Sequence, residues 1–258
     1  MSIEREIVDL PGPEGDFAVV TFRHLEHGTT EAPPRPAVIF LHDVTGLTEG
    51  NLVMAEAIAE EGYVVAAPDL FHRYGRMEIM PHEVPYEETL KIRIGMTNAG
   101  HLADVNTLVT RLQHMPDVAP GPVGVLGFCL GGRVAWLAAT GGTGIGPSVL
   151  FYPTRLLEPD PAVPESATPI EAVGAIHSPM LILFPQLDPQ NKPEGIEAIR
   201  AAIDQAGVPA ESFVIAGVDH GFAVPGHPAH DSAAGPVEWR HALDFLATHL
   251  PLASAMPD

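Results

Sequence analysis

The run VGVLGFCLGGRVAWLAA, Val123–Ala139, constrains the fold more than any other stretch of the chain. An uncharged segment ends among glycines, and a helical pattern begins directly after them. A buried strand that turns into a helix within a residue or two belongs to parallel sheets covered by helices. The same alternation recurs along the chain. AVIFL (37–41) precedes the helical NLVMAEAIAEEG, and YVVAAPD follows; SVLFYP comes after the glycine-rich segment. MLILF precedes GIEAIRAAIDQAG, then come SFVIAG and the helical VEWRHALDFLATHL. REIVDL and FAVVTF have no helix between them, so an antiparallel edge is expected there. The expected fold is α/β, a mostly parallel central sheet with helices on both faces, in one domain over 1–258. Residues 71–89 break the pattern and are expected to form a lid or pocket wall. EHGTTEAPPRP and FPQLDPQNKPEG are turn-rich connections too short to divide domains.

With 258 residues, 46% hydrophobic and 18% charged, the chain can bury a large core and does not resemble a disordered one. Thirteen basic against 33 acidic residues leave a net charge of −20. Such a surface repels phosphate backbones and anionic lipid heads, so a small-molecule partner is expected rather than nucleic acid or membrane. A compact monomer is the default. The single Cys permits no intramolecular disulfide and no cysteine-based zinc site. MSIEREIVDL lacks the apolar region of a secretory signal, and no run is long enough to span a bilayer. The expected setting is the reducing cytoplasm, with Cys129 a free thiol.

Reactive groups of open parallel sheets gather at the carboxyl ends of the strands, where Cys129 falls. Gly127 and Gly131 flank it two residues to either side. A sharp strand-to-helix turn holds its central residue in a strained conformation, and side chains at the flanking positions would collide. The turn lifts the thiol clear of the backbone and sets it at a helix N-terminus, which stabilises a thiolate. A lone Cys is ordinarily a small buried hydrophobe; G-F-C-L-G between strand and helix favours a nucleophile instead.

A thiol nucleophile needs a base, and the base needs a group that fixes its tautomer. Asp188 follows the strand MLILF, and His220 falls in the loop after SFVIAG, so both belong to the same sheet edge as Cys129. Asp188 before Pro189 also suits a plain turn, and Asp219 is the rival acid. His227 and His230 are alternatives to His220; as metal ligands they lack a third partner with convincing spacing. The loop after AVIFL reads HDVTG: the amides of Val44 and Leu130 are the candidate oxyanion donors. Asp43 either joins the site or caps the turn before Gly46, with His42 supporting the loop.

With these residues placed, the chain resembles the dienelactone hydrolase family of α/β-hydrolases. The matching pieces are VIFLHDVTGL, EEGYVVAAPDLF, VGVLGFCLGGRVAWLAA, MLILFPQLD and DHGFA. The resemblance implies a Cys129–Asp188–His220 triad in an ester or lactone hydrolase that needs no cofactor. It also implies that the acidic residue after the first central strand, here Asp43, pairs with the resting thiol and helps activate it. Two positions depart from the family. Asp43 stands where dienelactone-cleaving members usually carry Glu, and Val224 where they carry an Arg that clamps the substrate carboxylate. Arg73, Arg76 and Arg93 are the candidate replacements for that cation, with Arg93 the one assigned to substrate binding. Two alternatives stay open: a broad carboxylesterase or thioesterase acting on neutral substrates, and a scaffold that binds a small ligand without turnover.

Overall fold

The computed structural model describes residues 2–25, 33–75, 87, 92 and 96–252. Eight strands form one sheet: β1 (Ser2–Leu10), β2 (Phe17–Leu25), β3 (Ala37–Leu41), β4 (Val64–Pro68), β5 (Val123–Phe128), β6 (Ile145–Phe151), β7 (Met180–Pro185) and β8 (Ala210–Ile215). Their order is β1-β2-β4-β3-β5-β6-β7-β8. β1 and β2 pair antiparallel, β2 pairs antiparallel with β4, and every other pairing is parallel. The expected antiparallel edge and parallel centre are both present.

Among the described residues five helices cover the sheet: α1 (Glu49–Glu60), α2 (Asn98–Gln113), α3 (Leu130–Gly141), α4 (Pro193–Ala206) and α5 (Ala234–His249). Period-two alternation along each central strand divides the core in two. Ala37, Ile39 and Leu41 of β3 face a cluster that includes Val105, Leu108, Val134, Trp136 and Ile199 of α2, α3 and α4. Val38 and Phe40 face the other side, with Leu52 and Ile58 of α1 and Leu243 and Leu246 of α5. The central strands are apolar on both faces because both are covered.

α2 is absent from the sequence reading. Its buried stripe runs Gly100, His101, Asp104, Val105, Leu108, Val109, Leu112. The helical period is intact, but its first turns carry His and Asp where apolar residues would announce a core-facing helix. Of the expected lid, Phe71 is buried and His72–Tyr74 form a single 3₁₀ turn. Most of the rest of 71–89 lies outside the described residues, as do Arg76 and Arg93. No described helix is long and apolar enough to cross a membrane.

Candidate active site

β5 ends at Phe128, α3 begins at Leu130, and Cys129 between them has φ 53° and ψ −109°. A non-glycine residue with positive φ is strained and persists only where its surroundings fix it. Here they do. A Cβ on Gly127 would stand 2.2 Å from the carbonyl oxygen of Gly131, and one on Gly131 would stand 2.0 Å from that of Leu41. The turn is pressed against β3 so closely that neither position admits a side chain. The Cys129 amide donates to Phe151 O at 3.0 Å, tying the turn to β6.

Cys129 opens onto a cavity of about 270 Å³ that Val44, Phe71, His101, Leu130, Arg133 and His220 help to line. As the first residue of α3, Leu130 has no intrahelical acceptor for its amide, and the Val44 amide is not spent on a turn bond. Both expected oxyanion donors therefore border the cavity.

β7 ends at Pro185, three residues short of Asp188, which sits in the turn that follows. Asp188 Oδ2 meets His220 Nδ1 at 2.8 Å. It also accepts from Asn191 Nδ2 at 2.8 Å, while Oδ1 accepts from the Gln190 amide at 2.8 Å. Burial works against the carboxylate charge, but the His220, Asn191 and Gln190 hydrogen bonds outweigh it and hold the Asp188 pKa below its ordinary value. Asp188 accepts at Nδ1, so that nitrogen carries the proton. His220 Nε2 is buried and has no hydrogen-bond partner among the described residues. The Cys129 sulfur is close enough to act on His220 electrostatically. Burial would lower the His220 pKa; the charge of Cys129 and the bond to Asp188 more than reverse this and push it up to about 10. The rival acid, Asp219, is exposed; its carboxylate accepts from the His220 backbone amide at 2.6 Å and makes no bond to the His220 ring among the described residues.

Asp43 is buried, and its Oδ1 accepts from the Thr45 amide at 2.8 Å and from Asn51 Nδ2 at 3.2 Å. Its carbonyl accepts from Gly46 N at 3.2 Å. These bonds are those of the turn-capping alternative; the described residues include no hydrogen bond between Asp43 and the thiol. His42 donates from Nδ1 to Asp43 O at 2.6 Å and accepts at Nε2 from the Leu70 amide at 3.0 Å, which fixes it as a neutral loop support. Burial lowers its pKa to about 4.

Of the expected replacement cations, Arg73 is ruled out by its partners. It forks onto Asp104 at 2.7 and 3.1 Å and also pairs with Glu14, leaving it no role in the cavity. Val224 is buried in the core. His227 stacks on Gly221 and lines the cavity, with Nδ1 accepting from the Ala229 amide at 3.1 Å. Among the described residues no group of three His, Cys, Asp or Glu side chains is arranged to hold a metal.

Sequence reasoning missed Arg133 and His101. Arg133 is 4% and His101 3% exposed, and both line the cavity with Cys129. The only signal available was proximity: Arg133 lies four residues after Cys129, in the first turn of α3.

Comparison with known proteins identifies the family and the fold. The model of the dienelactone hydrolase family matches residues 25–250. A carboxymethylenebutenolidase from Rhodococcus opacus is 27% identical over 233 residues, 89% of this chain and 87% of that protein. A Klebsiella pneumoniae structure assigned as a dienelactone hydrolase superposes with a TM-score of 0.83 at 23% identity, over 96% of this chain and 99% of the other. A dienelactone hydrolase-like promiscuous phosphotriesterase from metagenomic libraries superposes with a TM-score of 0.77 at 21% identity, over 96% and 100%.

Proposed function

The chain belongs to the dienelactone hydrolase family and is a hydrolase, and we propose that it cleaves esters or lactones through Cys129 as nucleophile. One observation carries the proposal: the only unpartnered nitrogen of a histidine fixed by Asp188 sits beside the only thiol, at the mouth of one cavity.

The chemistry follows from the tautomer. With Nδ1–H held by Asp188, Nε2 takes the thiol proton, and the resulting imidazolium and thiolate stabilise each other. Sulfur attacks the carbonyl carbon, and the carbonyl π pair moves to oxygen. The Val44 and Leu130 amides stabilise that charge at a helix N-terminus. Collapse of the intermediate expels the alcohol or enol oxygen, which takes the proton from His220 Nε2. A water then gives a proton to Nε2 and attacks the acyl-thioenzyme, and the thiolate departs. Thiolate leaves a tetrahedral intermediate more readily than alkoxide does. The enzyme therefore suits substrates with good leaving groups, such as enol or aryl esters and strained lactones, and every proton is carried by the chain's own residues.

The test is hydrolysis of a panel of lactones, aryl esters and thioesters by wild type and Cys129→Ala. Turnover of p-nitrophenyl acetate by wild type and its loss in the variant are expected. Full activity in Cys129→Ala sinks the mechanism.

A further inference from the structure

The cavity that Cys129 and His220 line also carries polar capacity that the triad does not use. The Arg133 guanidinium, on α3 one turn after Cys129, is buried and positively charged. Its Nε donates to Asn98 Oδ1 at 3.1 Å, one Nη to the carbonyl of Arg155, and the other to that of Pro159 at a long 3.5 Å. All three acceptors are neutral. An arginine has five N–H groups, so two are left over. The nearest acids are engaged elsewhere. Asp160 accepts from the amides of Asn98 and Ala162 at 2.6 and 2.9 Å, and Glu158 pairs with Arg155 at 2.8 Å. No carboxylate of the described residues reaches Arg133 within ion-pair distance.

A buried cation without a counter-ion is costly, and the cost here is visible. Burial, reinforced by the charge of Arg155, lowers the Arg133 pKa to about 10 despite Asp160 and Glu158. It remains a cation at neutral pH. Beside it, both ring nitrogens of His101 are buried without a partner, as is Nε of Arg155. Buried polar groups are normally satisfied. Among the described residues two such side chains, beside a guanidinium with N–H groups to spare, line one cavity and form a site short of its ligand.

We propose that Arg133, with His101 beside it, is a binding site for an anionic oxygen group carried by the substrate. Cys129 and Arg133 line the same cavity, and the Arg133 amide donates to Cys129 O at 3.1 Å. An anion held by Arg133 therefore lies within reach of an acyl chain attached at Cys129. Val224 lies in the core and does not line the cavity, whereas Arg133, on the nucleophile's own helix, does. The choice of acyl chain rests on the hydrolase reading above; the anion site itself does not.

The probe is glutarate, a non-substrate dianion, titrated into the wild-type protein by calorimetry against its neutral diamide, glutaramide, and inorganic phosphate. Glutarate is expected to bind at least about tenfold more tightly than its neutral diamide, as loss of a charge-assisted fork implies. Arg133→Gln should abolish that difference and His101→Phe should weaken glutarate binding a few-fold. If Arg133→Gln melts early, Arg133→Lys replaces it. Lysine keeps the charge without the planar fork and should retain part of the preference. Equal binding of diacid and diamide, or an unchanged preference in both Arg133 variants, overturns the site. Phosphate competing as well as glutarate assigns it to compact anions in general; failure to compete assigns it to carboxylates. Glutarate should also inhibit p-nitrophenyl acetate turnover competitively. Absence of any turnover refutes the hydrolase mechanism and leaves the calorimetric result to decide the anion site.

Discussion

The two walls of the cavity are built on opposite principles. On the β7–β8 side, Asp188 is saturated by His220, Asn191 and Gln190, and His220 keeps one nitrogen in reserve. On the α2–α3 side, both nitrogens of His101 are bare and Arg133 donates only to neutral oxygens. A network that is complete except for one atom fixes where a proton moves. A wall with capacity left over fixes what fits against it. The contrast teaches that reaction and recognition are written in different signals: the first in satisfied hydrogen bonds, the second in unsatisfied ones.

The sharpest way to break the contrast is to spoil the satisfied wall. Asp188→Asn keeps the shape of the turn but lets the amide donate, so the His220 tautomer is no longer fixed. A fall in kcat of about 10³-fold or more is expected, by analogy with other triads whose orienting carboxylate is replaced. Turnover of p-nitrophenyl acetate measures it. A loss below tenfold would move the orienting role elsewhere, with Asp219 the next acid to test.

Both walls stand on the elbow, which is fixed by space. Gly131→Ala places a methyl 2.0 Å from the backbone of Leu41, so the turn must open. A loss of roughly 3 kcal/mol or more is expected in urea denaturation. Gly174→Ala, where nothing lies within 4 Å of the added carbon, serves as the control and should shift stability little.

Much of this was legible in the sequence for a physical reason. Gly127, Cys129 and Gly131 form a pattern that only a strained turn explains, and Asp188 and His220 follow strands that end at the same edge. The opposite wall gives no such signal. Arg133 looks like any helical arginine until its donors are seen to end on carbonyls. His101 is one of 13 histidines, and it interrupts the apolar stripe of α2 where that helix leaves the core for the cavity. The same interruption hid the helix. Asp43 was ambiguous because a single carboxylate serves a turn and a site equally well, and Arg73 stayed one candidate of three because its partners Asp104 and Glu14 lie far from it in sequence.

The unsatisfied wall should also appear in the pH dependence of stability. Burial lowers the His101 pKa to about 4, against an ordinary 6.5, with Asp104 opposing the shift and Arg73, His42 and Arg133 adding to it. A histidine with a depressed folded pKa contributes stability that is present above pH 6.5 and lost as pH falls towards 4. His101 accounts for up to about 3 kcal/mol of that loss. His42 acts in the same direction, while Asp69, raised to about 6 by burial, acts in the opposite one. The difference between wild type and His101→Phe isolates the contribution. Denaturation midpoints should fall less steeply from pH 6.5 to 4 in the variant, and parallel curves would show that His101 is not held neutral by the wall.

The smallest effect tests the boundary between the walls, at Asp43. Its Oδ1 caps a turn, and an asparagine oxygen can accept from Thr45 N as the carboxylate does. Asp43→Asn should therefore cost about 1 kcal/mol or less and leave p-nitrophenyl acetate turnover within a few-fold, whereas Asp43→Ala should cost more by removing the cap. If Asp43→Asn instead lowers turnover tenfold without moving the denaturation midpoint, the carboxylate charge acts on the thiol. The reserve of unmet capacity would then extend from His101 and Arg133 across the floor of the cavity to Cys129 itself.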